Sequence, residues 1–468
     1  MTRPEAISSE HHLGPAVLTT VDAIAQSLAI GPVFSAIVLA ALVAKAAGSA
    51  APLATMIGAL GAICVGSVIV LFARLFTGAG AVYDYVRRST NPTLGLFAAG
   101  IYFIGTLFLG GAGVLLAIGV VAANFFAGLG LVLPWWLWAT VAALAVFTVN
   151  HLGIRATTRT QLVLTLIGVM PLLILTLAIL WKGGANGHTL QVFNPYSPTT
   201  GNLFRGVLFA ITLFMGFEAS ASLGEETADP KRAIPIAVIG TVLISSLFYL
   251  LIVYASAIGF GVGHIAEWGN DASPLSTLAR RYVGGWLAPW VDLAVLVDML
   301  AVASAFTATG ARGWFALARH GLLPAVLAKV SNYKTPLGGN VVVSANALTL
   351  IAVTALVFPR MDPMVMFDVT VLWGSILIDL IYVMLALIAI QLVAAGGHSW
   401  WQWLALIGAV LTPVLAIYGS LVPFPSYPVD IAVYGSLGSI ALSLVWTIGL
   451  RMSAAHRLEA AMLGVADD

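Results

Sequence analysis

Apolar runs of about 18 residues or more recur along the chain, separated by polar joints such as GIRATTRT, EETADPKRAIP and ARHGLLPAVLAKVSNYKTPLGG. A helix of about 20 residues crosses the hydrocarbon core of a bilayer, so each run reads as a transmembrane helix. Twelve spans are expected, numbered in chain order, at 18–45, 51–73, 92–123, 134–151, 160–181, 202–223, 234–261, 287–316, 339–358, 364–394, 401–422 and 429–451. The apolar-out, polar-in alternation of a membrane barrel is absent. The pattern therefore describes an all-α polytopic membrane protein with no soluble domain. The joint at 263–286 contains SPLSTLARRYV, which predicts a short interfacial helix. DPKRAIP reads as a helix start, with Asp229 placed to cap orphan amides and Pro230 at the first helical position. Glu225 and Glu226 then fall in a solvated loop before span 7.

Composition agrees with this reading. Sixty per cent of the 468 residues are hydrophobic and 8% are charged, against about 25% charged in soluble domains. Twenty basic residues against nineteen acidic ones leave no global field, so nucleic acid is not an expected partner. The single cysteine, Cys64, excludes an intrachain disulfide and a Cys-cluster metal site, and reads as a packed hydrophobe. Residues 1–12 are polar, and the first apolar run is too long for the core of a cleavable signal. With the N-terminus inside, fourteen Lys and Arg fall on cytoplasmic joints and six on external ones. That asymmetry places both termini in the cytoplasm.

Two spans break the rule of an uninterrupted apolar helix. Span 1, VDAIAQSLAIGPVFSAIVLAALVA, carries Pro32 at mid-span, which removes a hydrogen bond and disfavours helix at Gly31. Span 6, GNLFRGVLFAITLFMGFEASASLG, carries Gly216 beside Glu218. Broken backbone is tolerated at membrane depth only where it lines a cavity or is buried in protein. The breaks lie five spans apart, and the two spans enter from opposite sides. This is the signature of two inverted five-helix repeats with a binding site between opposed half-helices. Glu218 and Asp298 are the sharpest polar signals, since an intramembrane carboxylate is a functional hypothesis by default. Both are candidate coupling or gating groups. Ser304 and Thr307 on span 8 join them as candidate oxygen ligands. Asp292, Asp368 and Asp379 also fall in spans, the first two expected to pair with polar groups on neighbouring helices. The glycines of span 3 are expected to permit close helix approach.

FMGFEASASLGEETADPKRAIP resembles the sixth span and following loop of amino acid–polyamine–organocation (APC) superfamily permeases. FTGAGAVYDYVRR is similar to their loop after span 2, and GARGWFALARHGLLPAVLAKVSNYKTP to their span 8 and its exit loop. The resemblance covers most of residues 15–450. It implies twelve transmembrane helices, a LeuT-type five-plus-five inverted repeat with helices 1 and 6 broken, and alternating access. The implied layout is an N-terminal tail to residue 17, repeats at 18–181 and 202–394, two further helices at 401–451, and a C-terminal tail at 452–468. It also implies substrate contacts at Ala29, Ile30, Gly31, Pro32 and Val33, and at Phe214, Met215, Gly216 and Phe217. Three positions depart from the family pattern. Pro32 replaces a glycine, so one amide donor is lost. Thr212 stands where many members have an aromatic gate, which shifts gating to Phe214 or Phe217. Gly168 stands at the position of a span 5 lysine.

The expectation is a secondary transporter of the cell membrane moving amino acids, by H⁺ symport first and exchange second. The alternative substrate class is a polyamine or another organic amine. No cofactor or metal is expected, and H⁺ is the expected coupling ion ahead of Na⁺. The partners are a small-molecule substrate and the lipid bilayer, and the sequence sets no oligomeric state. No HExxH, P-loop or nucleophile elbow points to an enzyme.

Overall fold

A computed structural model describes residues 16–29, 31–196, 201–271, 273–396 and 400–453. Ile30 and most of both tails lie outside the described residues. Among the described residues, backbone pairing outside the helices is confined to turns, caps and two isolated bridges. Among the described residues, ten helices are long and apolar enough to cross a membrane. They correspond to spans 1, 2, 3, 5 and 7 to 12. Span 4 is the 17-residue helix Trp135–His151. Span 6 has the ten-residue helix Leu203–Thr212, which does not reach spanning length.

Both expected breaks are present, each for a local reason. Span 1 starts with a capping box: the Thr19 hydroxyl accepts from the Asp22 amide and the Asp22 carboxylate accepts from the Thr19 amide. The first helix, Thr20–Leu28, stops before Gly31, whose φ of +86° is a left-handed conformation that glycine alone adopts without cost. Helix restarts at Pro32, where a missing N–H costs nothing, and passes through the π-helical Ser35–Leu39 into Ala40–Ala47. In span 6, turns follow Thr212, Gly216 adopts φ +98°, and the chain continues as the 3₁₀ helix Ala219–Leu223. The return segment is thus a 3₁₀ turn rather than a second α-helix.

Span 3 carries a π-helical stretch, Leu107–Gly113. Its glycines do serve packing. A Cβ on Gly110 would overlap the Phe306 ring, and one on Gly113 would crowd Thr370. The short helix expected between spans 7 and 8 is Pro274–Tyr282, and its Ser276 hydroxyl donates to Asp292 at 2.5 Å. Asp368 is exposed rather than paired within the bundle.

Two expectations about the joint before span 7 are corrected. Span 7 begins at Pro230 with Asp229 as N-cap residue, but the Asp229 side chain makes no capping bond. Its backbone carbonyl instead accepts from Ala233 at 2.8 Å. Glu225 and Glu226 do not form a solvated loop. The Glu226 side chain is 1% exposed and meets Arg312 in a two-pronged pair at 2.7 and 3.2 Å. Glu225 pairs likewise with Arg319 at 2.8 and 2.6 Å and accepts from the Ala79 amide at 3.1 Å. Span 8 runs one long helix, Leu287–Arg319, to this end of the molecule, and so carries its arginines under the loop. The sequence placed the acids beside a helix start but not opposite basic residues some 86 and 94 positions away.

Candidate functional site

The two breaks meet spans 3, 8 and 10 in the buried centre. At the span 1 break, the Val33 and Phe34 amides donate to Asp298 Oδ2 at 3.0 and 2.8 Å. These are orphan donors of a helix N-terminus, and a carboxylate is the group that satisfies them best. Asp298 is fully buried, and its Oδ1 has no partner among the described residues. Gly168 of span 5 faces Val33 and the Asp298 Cβ, and its missing side chain leaves room there.

At the span 6 break, Glu218 is held by two tyrosines. Tyr102 Oη of span 3 donates to Oε1 at 3.1 Å, and Tyr382 Oη of span 10 donates to Oε2 at 2.7 Å. The carboxyl therefore joins three spans at one point. Span 1 and span 6 also meet directly, where Ser27 Oγ donates to Ser220 Oγ at 2.8 Å.

Two cavities flank the breaks. One, on the side of the span 6 helix Leu203–Thr212, is lined by Phe34, Ser35, Leu39, Leu109, Val114, Thr212, Met215, Val302, Phe306, Val371 and Ser375. It is apolar with three hydroxyls and no charged group. The other is lined by Ala29, Tyr102, Gly216, Glu218, Ala219, Ala305, Phe306 and Thr309. Phe306 borders both, pinned against Gly110. It lies between the two.

Of the residues expected to contact substrate, Ala29, Met215 and Gly216 line these cavities, whereas Gly31, Pro32, Val33, Phe214 and Phe217 do not. Gly31 and Pro32 shape the break, and Val33 gives its amide to Asp298. Phe214 packs edge-on against Tyr249, and Phe217 packs against Tyr382. Neither ring lines the cavities, whereas Phe306 lines both. Ser304 accepts from Asn150 at 3.1 Å and Gln161 at 3.4 Å, and so binds spans 4 and 5 to span 8. Thr307 is buried and lines neither cavity. Sequence reasoning missed Phe306, Tyr102 and Tyr382, which read as ordinary core aromatics. Nothing in the sequence marked Phe306, since its contact with Gly110 exists only in the fold.

The end of the molecule bearing Glu225 and Glu226 is closed by several ties. Leu18 exchanges backbone bonds with the acidic loop, donating to Glu226 O at 2.9 Å and accepting from Ala228 N at 3.0 Å. Arg155 donates to Val17 O at 2.8 Å and Thr158 to Asp22 Oδ1 at 3.1 Å. The N-terminal segment, span 5, span 8 and the loop after span 6 are thereby latched together.

A family model described as amino acid permease matches residues 18–449. The chain belongs to the amino acid permease family. Among curated relatives, a branched-chain amino acid permease of Bacillus subtilis (strain 168) is 28% identical over 42% of this chain and 41% of its own length. That match thus spans about two fifths of the relative. An uncharacterized transporter of Mycobacterium tuberculosis is 27% identical over 69% of this chain and 71% of its own. A solved structure of a Na⁺-coupled sialic acid symporter, substrate-bound and outward-open, superposes with a TM-score of 0.53 at 12% identity, covering 89% of this chain and 92% of that one. At that identity the likeness concerns the fold alone. The permease is therefore a multi-pass membrane protein of transporter fold, with spans 1 and 6 broken.

Proposed function

We propose that this permease is a secondary active transporter that moves an amino acid by alternating access. The observation that carries the reading is the pair of breaks flanking two cavities divided by one side chain, in a chain of the amino acid permease family. A solute in the apolar compartment would be handed past Phe306 to the compartment that holds Glu218. Carriers of this kind bind substrate between discontinuous helices and rock two repeats around it. The proposed repeats are residues 18–181 and 202–394. The apolar lining, with Leu39, Val114, Val302 and Val371, has the chemistry for a branched aliphatic side chain such as that of leucine, which this cavity of about 30 Å³ would admit only on opening. The branched-chain relative supports the same choice. The proposed location is the cell membrane, with the arginine-rich latched end and both termini in the cytoplasm.

H⁺ symport is the first coupling proposal and exchange the second. Uptake of leucine into proteoliposomes, with pH and Na⁺ gradients imposed separately, tests both. A pH gradient, inside alkaline, is expected to drive accumulation. If only preloaded amino acid does so, exchange replaces symport. If no amino acid or related amine moves under any condition, the carrier reading fails.

Two variants test the site. Glu218→Gln keeps one acceptor for a tyrosine and removes the titratable group. It is expected to flatten the pH dependence of uptake while leaving the thermal midpoint close to that of the parent. An unchanged pH profile would reduce Glu218 to a brace between spans 3, 6 and 10. Phe306→Ala is expected to join the compartments and raise downhill efflux from preloaded vesicles about tenfold, a barrier change of about 1.4 kcal/mol. Unchanged efflux would remove Phe306 from the gating role.

A further inference from the structure

Asp298 occupies the place where a carrier built on broken helices offers free amides to an anionic substrate group. The half-helix restarting at Pro32 has few donors to offer. Pro32 itself has no N–H. The Ser35 amide donates to Gly31 O at 2.8 Å. The remaining two, of Val33 and Phe34, both go to Asp298 Oδ2. The surroundings are shaped for this contact. Gly31 clears the approach, since a Cβ there would lie 3.2 Å from Oδ2, and Gly168 leaves room beside the Asp298 Cβ. A solute carboxylate reaches these amides only by displacing a tethered side chain, whose effective concentration exceeds that of any free ligand.

The distribution of charge points the same way. The buried acids Asp84 and Glu226 have basic partners, Arg87 and Arg312. Glu218, Asp298 and Asp379 are buried as well, and among the described residues none of them forms a salt bridge. No cation at the breaks is therefore paired with them in a way that would draw in a solute carboxylate.

We infer that Asp298 is a specificity-determining residue, which supplies from within the protein the carboxylate that the span 1 amides would otherwise take from the substrate. Solutes of amino acid shape that lack a carboxylate then bind the central site as well as the amino acid does. The inference rests on the proposed carrier site between the breaks, and it removes the α-carboxylate from what that site requires.

The test is binding in detergent, by calorimetry or thermal shift, of leucine, leucinamide, leucine methyl ester and 3-methylbutylamine, with vesicle uptake measured separately. In the parent, leucinamide and the amine are expected to bind within about threefold of leucine. Asp298→Ala is expected to favour leucine over leucinamide by about tenfold or more relative to the parent. Asp298→Asn keeps an acceptor oxygen for the amides and is expected to retain the parental ratio. A parent that binds leucine about tenfold tighter than leucinamide overturns the inference. That ratio and the Asn variant decide the matter if the Ala variant does not fold. Leucine-only binding accompanied by uptake sinks the inference and leaves the carrier standing. Binding of the amide without uptake of any solute sinks the carrier and leaves the assignment of the amides standing. No binding of any of the four sinks both.

Discussion

Arg312→Ala is expected to destabilise the folded permease by about 3–5 kcal/mol, the usual cost of stranding one partner of a buried ion pair. Arg312 is 2% exposed, gives two N–H groups to Glu226 and a third to Ala308 O at 3.1 Å. Without it, the Glu226 carboxylate stays buried under the loop with no counter-charge. The measurement is denaturant unfolding in mixed micelles, followed by intrinsic tryptophan fluorescence. The double variant Arg312→Met with Glu226→Leu separates stability from latching. Replacing a buried pair by apolar groups of similar volume is often neutral, so the double variant is expected to recover most of the stability. It still lacks the charged latch, so its arginine-rich end is expected to open more readily, seen as faster proteolysis of the loop after span 6. Parental stability in Arg312→Ala would mean that the pair is not formed in the folded protein.

Gly31→Ala is expected to cut uptake by about tenfold or more, a loss of at least about 1.4 kcal/mol in the rate-limiting barrier or binding step. Two independent effects add here. An alanine at φ +86° pays about 1–2 kcal/mol for left-handed backbone. Its Cβ would also run into the Val302 side chain and crowd Asp298. The helix restart at Pro32 would shift, and with it the amides that Asp298 holds. Gly240→Ala is the matched control. Gly240 lies inside the helix Pro230–Phe260, with nothing within 4 Å of an added Cβ. Alanine there is expected to be neutral or to stabilise by up to about 1 kcal/mol. Equal losses in both variants would show that any added methyl is harmful, and that the break has no special role.

Much of this architecture was legible because it follows from short-range chemistry. Gly31 with Pro32, and Gly216 beside Glu218, marked the breaks to within a few residues, since backbone that cannot be helical in lipid must be broken. Pro230 marked the start of span 7, and SPLSTLARRYV marked the short helix before span 8. What stayed hidden depends on the rotation and register of one span against another. Asp298 could be singled out as a costly acid, yet nothing in LAVLVDMLAVASAF tells that its carboxylate meets amides 265 and 264 positions away. The same holds for Glu226 and Arg312. Each alone reads as a solvated loop acid or a flanking arginine, and only the length of span 8 brings them together. Phe306 and the Tyr102–Glu218–Tyr382 bridge were hidden for another reason. Aromatic residues in an apolar span are nearly always packing, so their type carries little information until a cavity is seen beside them. The π-helical stretches in spans 1 and 3 left no trace in periodicity, because a single widened turn does not change the apolar count.

The central claim is that solute passes between two compartments of one carrier, by way of the paired breaks. Leucine counterflow in proteoliposomes tests it most directly. Vesicles loaded with unlabelled leucine and diluted into trace labelled leucine, with no ion gradient imposed, are expected to accumulate label transiently. The initial rate is expected to saturate with external leucine, and Gly31→Ala is expected to abolish the overshoot. Label that only equilibrates, at a rate rising linearly with concentration and indifferent to Gly31→Ala, would contradict a carrier of this design.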